Sequence, residues 1–181
     1  MIDEIMEYNR KFVENKGYEP YLTSKYPDKK LAILTCMDTR LLELLPAALG
    51  IKNGDAKIIK NAGGVIVHPY GSVVRSLLVG ILELGVEEVM VIGHTDCGVQ
   101  GMDGHEMLEK LVERGIDQQH IDIVRHSGID LERWLGGFES VESSVHETVR
   151  RLKEHPLMPK DVRISGFIMD SATGELTRVE A

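Results

Sequence analysis

The chain has only two cysteines, and each stands where it can take a metal. Cys36 lies in Cys36-Met37-Asp38-Thr39-Arg40, directly after the apolar run Leu31-Ala32-Ile33-Leu34. Cys97 lies in His94-Thr95-Asp96-Cys97-Gly98, directly after Val89-Met90-Val91-Ile92. Short apolar runs of this kind read as buried strands, so Cys36, His94 and Cys97 are expected at strand ends on one edge of a sheet. Two thiolates and an imidazole suit a zinc ion whose fourth position stays open, as in a catalytic rather than a structural site. The competing reading is a pair of inert core cysteines, because free Cys is often buried. What favours the metal is position: both motifs follow the C-terminal ends of strands, where open α/β sheets place their ligands.

Asp38 and Arg40 are two residues apart and can point to the same side as Cys36. Arginine forks onto a carboxylate with two hydrogen bonds, which keeps it ionised and oriented. A carboxylate held beside a metal-activated water can accept its hydrogen bond and aim it. The alternatives are a solvated surface ion pair of little worth, or Asp38 as a fourth metal ligand that closes the site. Asp96 is expected to support the His94–Cys97 turn rather than to ligate. Asn61-Ala62-Gly63-Gly64 also follows a strand, and its paired glycines suggest positive φ or a close backbone approach. The other six histidines, His68 among them as a conceivable proton relay, read as surface or hydrogen-bonded residues. Trp134 reads as a packing residue.

The elements that must position these groups follow from periodicity. Residues 2–15 form an amphipathic helix with Ile2, Ile5, Met6, Phe12 and Val13 on one face. Because it precedes the first strand, it is expected to stand outside the sheet as an arm over residues 1–16. Strands are expected at 30–35, 55–60, 88–93 and 162–168. Helices are expected at 41–49, from Ser72 as cap to Leu84, in two or three short pieces within 104–135, and at 140–154. Thr173-Gly174 predicts a tight turn into a short edge strand at 176–179. The alternation gives an α/β fold: a mostly parallel central sheet flanked by helices, with an N-terminal helical arm and a C-terminal edge strand. Residues 1–181 read as a single domain.

Composition narrows the partners. At 181 residues, 43% hydrophobic and 28% charged, the chain can bury an ordinary globular core. A formal charge of −8 disfavours nucleic acid and anionic membrane, either of which wants a basic face. No apolar run reaches membrane-spanning length. The acidic start is unlike a signal peptide, and two unpaired cysteines fit a reducing cytoplasm.

At these residues the chain resembles the β-class carbonic anhydrases. The match is Cys36-Met37-Asp38-Thr39-Arg40, Asn61-Ala62-Gly63-Gly64, Arg75-Ser76-Leu77, His94-Thr95-Asp96-Cys97-Gly98 and the closing Gly166–Asp170 with Thr173–Leu176. It spans about residues 30–180 and is most similar to the short archaeal and Gram-positive-like branch. The resemblance implies Cys36, His94 and Cys97 as ligands of one Zn2+ per chain, and Asp38 with Arg40 as the catalytic pair. It implies reversible hydration of carbon dioxide to bicarbonate and a proton by zinc-bound hydroxide. It also implies a homodimer or a multiple of dimers, with the N-terminal helix embracing the partner. Carbon disulfide or carbonyl sulfide hydrolysis on the same fold is the nearest alternative, and a non-catalytic closed zinc or bicarbonate-binding protein is the other. Two departures matter: many members carry Arg before Asn-Ala-Gly, where this chain has Lys60, and members often carry an acidic residue shortly before Arg-Ser-Leu, where Tyr70-Gly71-Ser72 stands.

Overall fold

Strand β1 (Leu31–Cys36) is apolar on both of its faces because both are covered. Ala32 and Leu34 point to one side, and Leu31 and Ile33 to the other. It lies at the centre of the molecule, parallel to β2 (Ala56–Asn61) on one flank and to β3 (Glu88–His94) on the other. β4 (Arg163–Met169) continues the parallel set beside β3, and β5 (Leu176–Val179) closes it antiparallel, giving the order β2-β1-β3-β4-β5. This computed structural model describes residues 1–179; Glu180 and Ala181, the end of the expected 1–181 domain, lie outside the described residues.

One layer over the sheet is built from α3 (Ser72–Leu84) and α7 (Val141–Glu154). Val74 and Leu77 of α3, and Val145, Val149 and Leu152 of α7, pack on Ala32, Leu34, Val89 and Val91. The helix α7 comes unusually close: a Cβ added to Gly93 would lie 2.7 Å from side-chain atoms of both Val141 and Val145. Any larger residue there would push the helix off the strand that ends in His94. The opposite layer holds Leu41 and Leu45, packed with Ile33, Ile92 and Met169 and with both cysteines.

Several boundaries differ from the sequence expectation, each for a local reason. The helix expected at 41–49 is split into a 3₁₀ turn, Thr39–Leu41, and α2 (Leu44–Ala48). The turn starts early because the Asp38 side chain accepts from the Arg40 backbone N–H at 2.9 Å, as a helix cap does. Ser72 does not cap α3: the cap position is Gly71, without a side-chain bond, while the Ser72 carbonyl accepts from Ser76 Oγ. The 104–135 stretch is three helices, α4 (Gly104–Glu113), α5 (Gln118–His126) and α6 (Leu131–Leu135), separated at Gly115 and Gly128 with φ of 91° and 88°. Their small core is Leu108, Ile121 and Leu131. Trp134 is not part of it. The residue is 57% exposed, and the neighbouring Leu135 packs instead.

The helix α1 (Ile2–Glu14) stands apart as an arm and buries none of its residues. Its apolar side is bare, with Ile2, Ile5 and Met6 at 77%, 61% and 63% exposure. Its C-terminal end has an intramolecular neighbour: the Phe12 and Tyr21 ring centroids lie 6.3 Å apart.

Candidate metal centre and active site

In the strand order β2-β1-β3-β4-β5 the chain leaves β1 toward one flank and β3 toward the other. The crevice between the carboxyl ends of β1 and β3 is therefore the topological switch point, the place where an open parallel sheet binds its ligand. Cys36 is the last residue of β1, His94 the last of β3, and Cys97 follows three residues later. All three are buried. One nitrogen or sulfur atom from each lies within 4.8 Å of the others.

The turn that returns Cys97 to the site depends on Asp96, which takes the left-handed conformation at φ 53°, a region aspartate enters more readily than most residues. The turn is moored to the end of β4. The Thr95 backbone N–H donates to the Met169 carbonyl at 3.0 Å, and the Ser171 N–H donates to Thr95 Oγ1 at 3.0 Å. On the other side Gly64, at φ 66°, lies directly against the β1 backbone; a Cβ there would be 2.9 Å from Thr35 C. The close approach expected of the glycine pair is thus made to the strand that carries Cys36.

The three side chains fit a tetrahedral zinc ion. Cys36 Sγ and Cys97 Sγ are 3.9 Å apart, against about 3.8 Å for two sulfurs on one tetrahedral zinc. His94 Nδ1 is 2.9 Å from the Thr95 carbonyl. A carbonyl only accepts, so Nδ1 carries a proton, and the neutral ring presents a bare lone pair at Nε2. Among the described residues that buried Nε2 has no hydrogen-bond partner. Leaving such an acceptor unpaired costs roughly 1–3 kcal/mol, and a Lewis acid between the imidazole and the two sulfurs removes the cost. Burial pushes the Cys97 thiol up; the Val99 backbone N–H pulls it down, and Cys36 nearby raises it further. Binding a cation there must therefore displace protons, and affinity falls in acid.

Asp38 and Arg40 meet as expected, in a fuller network. Asp38 Oδ1 accepts from Arg40 N at 2.9 Å and Nε at 3.0 Å, while Oδ2 accepts from Nη2 at 2.9 Å. Arg40 also donates from Nη1 to Asp96 Oδ2 at 2.8 Å and from Nη2 to the Asp96 carbonyl at 2.7 Å. The guanidinium therefore bridges the β1 and β3 turns. Its hydrogen bonds hold the Asp38 carboxyl well below the usual carboxylate range. Asp38 Oδ2 is 3.9 Å from His94 Nε2. The sequence anticipated Asp96 as a support for its turn, but not that Arg40 would be the means. His68 is exposed, its Nδ1 accepting from Tyr70 N at 3.1 Å. His155 is buried, with one ring nitrogen 2.9 Å from the Pro69 carbonyl.

Comparison with known proteins agrees with this geometry. The family model described as carbonic anhydrase matches residues 31–176. YvdA of Bacillus subtilis (strain 168), whose carbonic anhydrase name is itself provisional, is 52% identical over 175 residues, covering 97% of this chain and 89% of its own. A carbon disulfide hydrolase of Acidithiobacillus thiooxidans is 31% identical over 158 residues, covering 82% of this chain and 76% of its own. The crystal structure of β-carbonic anhydrase isoform I from Trichomonas vaginalis superposes with a TM-score of 0.88 at 34% identity, covering 99% of this chain and 97% of that one. A five-stranded sheet with its Cys–His–Cys group at the switch point, matched along nearly its whole length, makes this chain a member of the β-class carbonic anhydrase family of enzymes.

Proposed function

We propose that the chain catalyses the reversible hydration of carbon dioxide to bicarbonate and a proton, at one zinc ion held by Cys36, His94 and Cys97. The observation that carries this reading is the unpartnered His94 Nε2, buried beside two thiols and 3.9 Å from a carboxylate that arginine holds in place. Bound there, zinc would supply Lewis acidity that makes water a nucleophile near neutral pH. The protein's own part is orientation. Asp38 Oδ1 already takes two Arg40 donors, whereas Oδ2 takes one and keeps a lone pair for the reacting water. Asp38 is ionised throughout the working range, so it accepts that hydrogen bond and cannot donate one. With both oxygens engaged by Arg40, Asp38 is restrained from turning onto the metal, which supports an open site over a closed, non-catalytic one.

Carbon disulfide hydrolysis is the second reading, favoured by the relatives that carry that name. The two separate by assaying one zinc-loaded preparation on both substrates. Carbon dioxide hydration should exceed sulfide release from carbon disulfide by on the order of a hundredfold or more in kcat/KM. Sulfide release at equal or greater efficiency would reverse the assignment.

The reading extends to a homodimer, or a multiple of dimers, in the cytoplasm, built on one domain with residues 1–16 as its arm. Its support is α1, whose exposed Ile2, Ile5 and Met6 need a surface to cover. Two free cysteines fit a reducing compartment. Among the described residues no helix is long and apolar enough to cross a membrane. Removing residues 1–16 should convert the dimer into monomer or aggregate, read by sedimentation. A variant that still sediments as a dimer would show that the arm does not hold the two copies together.

A further inference from the structure

The turn that carries Arg40 is a weak structure by itself. It is three residues of 3₁₀ helix, closed by Leu41 N to the Asp38 carbonyl at 3.1 Å and Leu42 N to the Thr39 carbonyl at 3.3 Å. Such turns have poor hydrogen-bond geometry and do not hold a position unaided. On the β3 side the turn is anchored through Arg40 and Asp96. On the β2 side the anchor is Lys60.

Lys60 pairs with Thr35, one step before the Cys36–Asn61 pair that ends the two strands. Alternation along β2 puts it on the same face as Ala56, and Ala56 packs against the layer of Leu41, Leu45 and Cys36. Lys60 is half-buried there, and its Nζ donates to the Leu41 carbonyl at 3.0 Å. Burial lowers its pKa, and the nearby Cys36 and Asp38 oppose that shift without reversing it. Drawing a lysine amine under an apolar layer costs desolvation. A surface lysine would have kept its amine in water, as long cationic side chains normally do.

We propose that Lys60 is a positioning residue for the reaction: it ties the carbonyl end of the Thr39–Leu41 turn to β2, so that Arg40 presents Asp38 to the Cys36–His94–Cys97 group at a fixed distance. The Asp38–Arg40 pair is then held from two neighbouring strands, through Asp96 after β3 and through Lys60 on β2. The inference rests on the reading of Asp38 and Arg40 given above.

The test compares Lys60→Met with Lys60→Arg. Methionine keeps most of the apolar stem and removes the donor and the charge; arginine restores both. In Lys60→Met, kcat should fall about tenfold, as expected for a reacting group displaced by a fraction of an ångström. Zinc content and thermal midpoint should stay near those of the parent. The Leu41 and Leu42 amides should exchange with deuterium about tenfold faster, and Lys60→Arg should recover most of the rate and of the protection. Should Lys60→Met fail to fold, Lys60→Gln, uncharged and one bond shorter, carries the same two readouts. Unchanged kcat, or a slowed enzyme whose Leu41 and Leu42 amides exchange as in the parent, overturns the inference. A fully active Asp38→Ala would instead sink the reading of the pair itself, which the exchange data do not touch.

Discussion

Cys97→Ser is expected to fold but to lose stoichiometric zinc, with carbon dioxide hydration falling by on the order of a thousandfold or more. Serine nearly matches cysteine in size, so the buried position, 6% exposed in the parent, is refilled without a cavity. What disappears is a thiol that can give up its proton to a bound cation. The site then offers one thiolate and one imidazole to a dication, and its balance of two negative charges against two positive ones is lost. His94 Nε2 returns to being a buried acceptor without a partner. The stabilisation that zinc gives the parent, by binding only the folded state, should vanish as well. Adding zinc should therefore raise the thermal midpoint of the parent and leave that of Cys97→Ser unmoved. Full zinc occupancy and activity in the serine variant would mean that Cys97 is not a ligand.

The second large effect concerns Asp38 and Arg40, which should behave as one unit. Arg40 supplies three hydrogen bonds to Asp38, one of them from its backbone and two from its guanidinium. Arg40→Ala removes those two and frees Asp38 to turn toward the metal. Asp38→Ala removes the acceptor that aims the reacting water and leaves Arg40 with Asp96 alone. Each change should cost about a hundredfold in kcat/KM, and the double change about a hundredfold again rather than about ten-thousandfold, because the two act through one contact. Zinc content should hold in all three variants. Losses that simply multiply, or an unchanged rate in either single variant, would reduce the pair to an ordinary surface ion pair.

The metal group was legible in the sequence because its logic is local. An apolar run fixes a strand, the strand's direction fixes which end carries the next residues, and Cys36, His94 and Cys97 all follow such ends. The Asp38–Arg40 pair was legible for the same reason, being two residues apart and directly after Cys36. The contacts of Arg40 with Asp96 and of Lys60 with Leu41 were not. They join residues 56 and 19 positions apart, and they exist only because β1 lies between β2 and β3, an order that periodicity does not specify. The short helix expected after β1 was split because the Asp38 side chain starts a turn that hydrophobic spacing does not register. Trp134 was misjudged since a large aromatic reads as core by type, whereas the Leu108–Ile121–Leu131 core is small and already filled by Leu135. The bareness of α1 needed the structure: its apolar stripe was legible in the residue spacing, but not that none of its residues is buried.

The central claim is that the rate belongs to one zinc ion held by Cys36, His94 and Cys97. Its most direct test is a titration of metal-stripped protein with zinc, counting bound metal per chain and following carbon dioxide hydration by stopped flow on the same samples. The rate should rise in proportion to bound zinc and level off at about one ion per chain. Hydration by the stripped protein at the loaded rate, or a chain holding one zinc at this site that leaves carbon dioxide hydration at the uncatalysed rate, would contradict it.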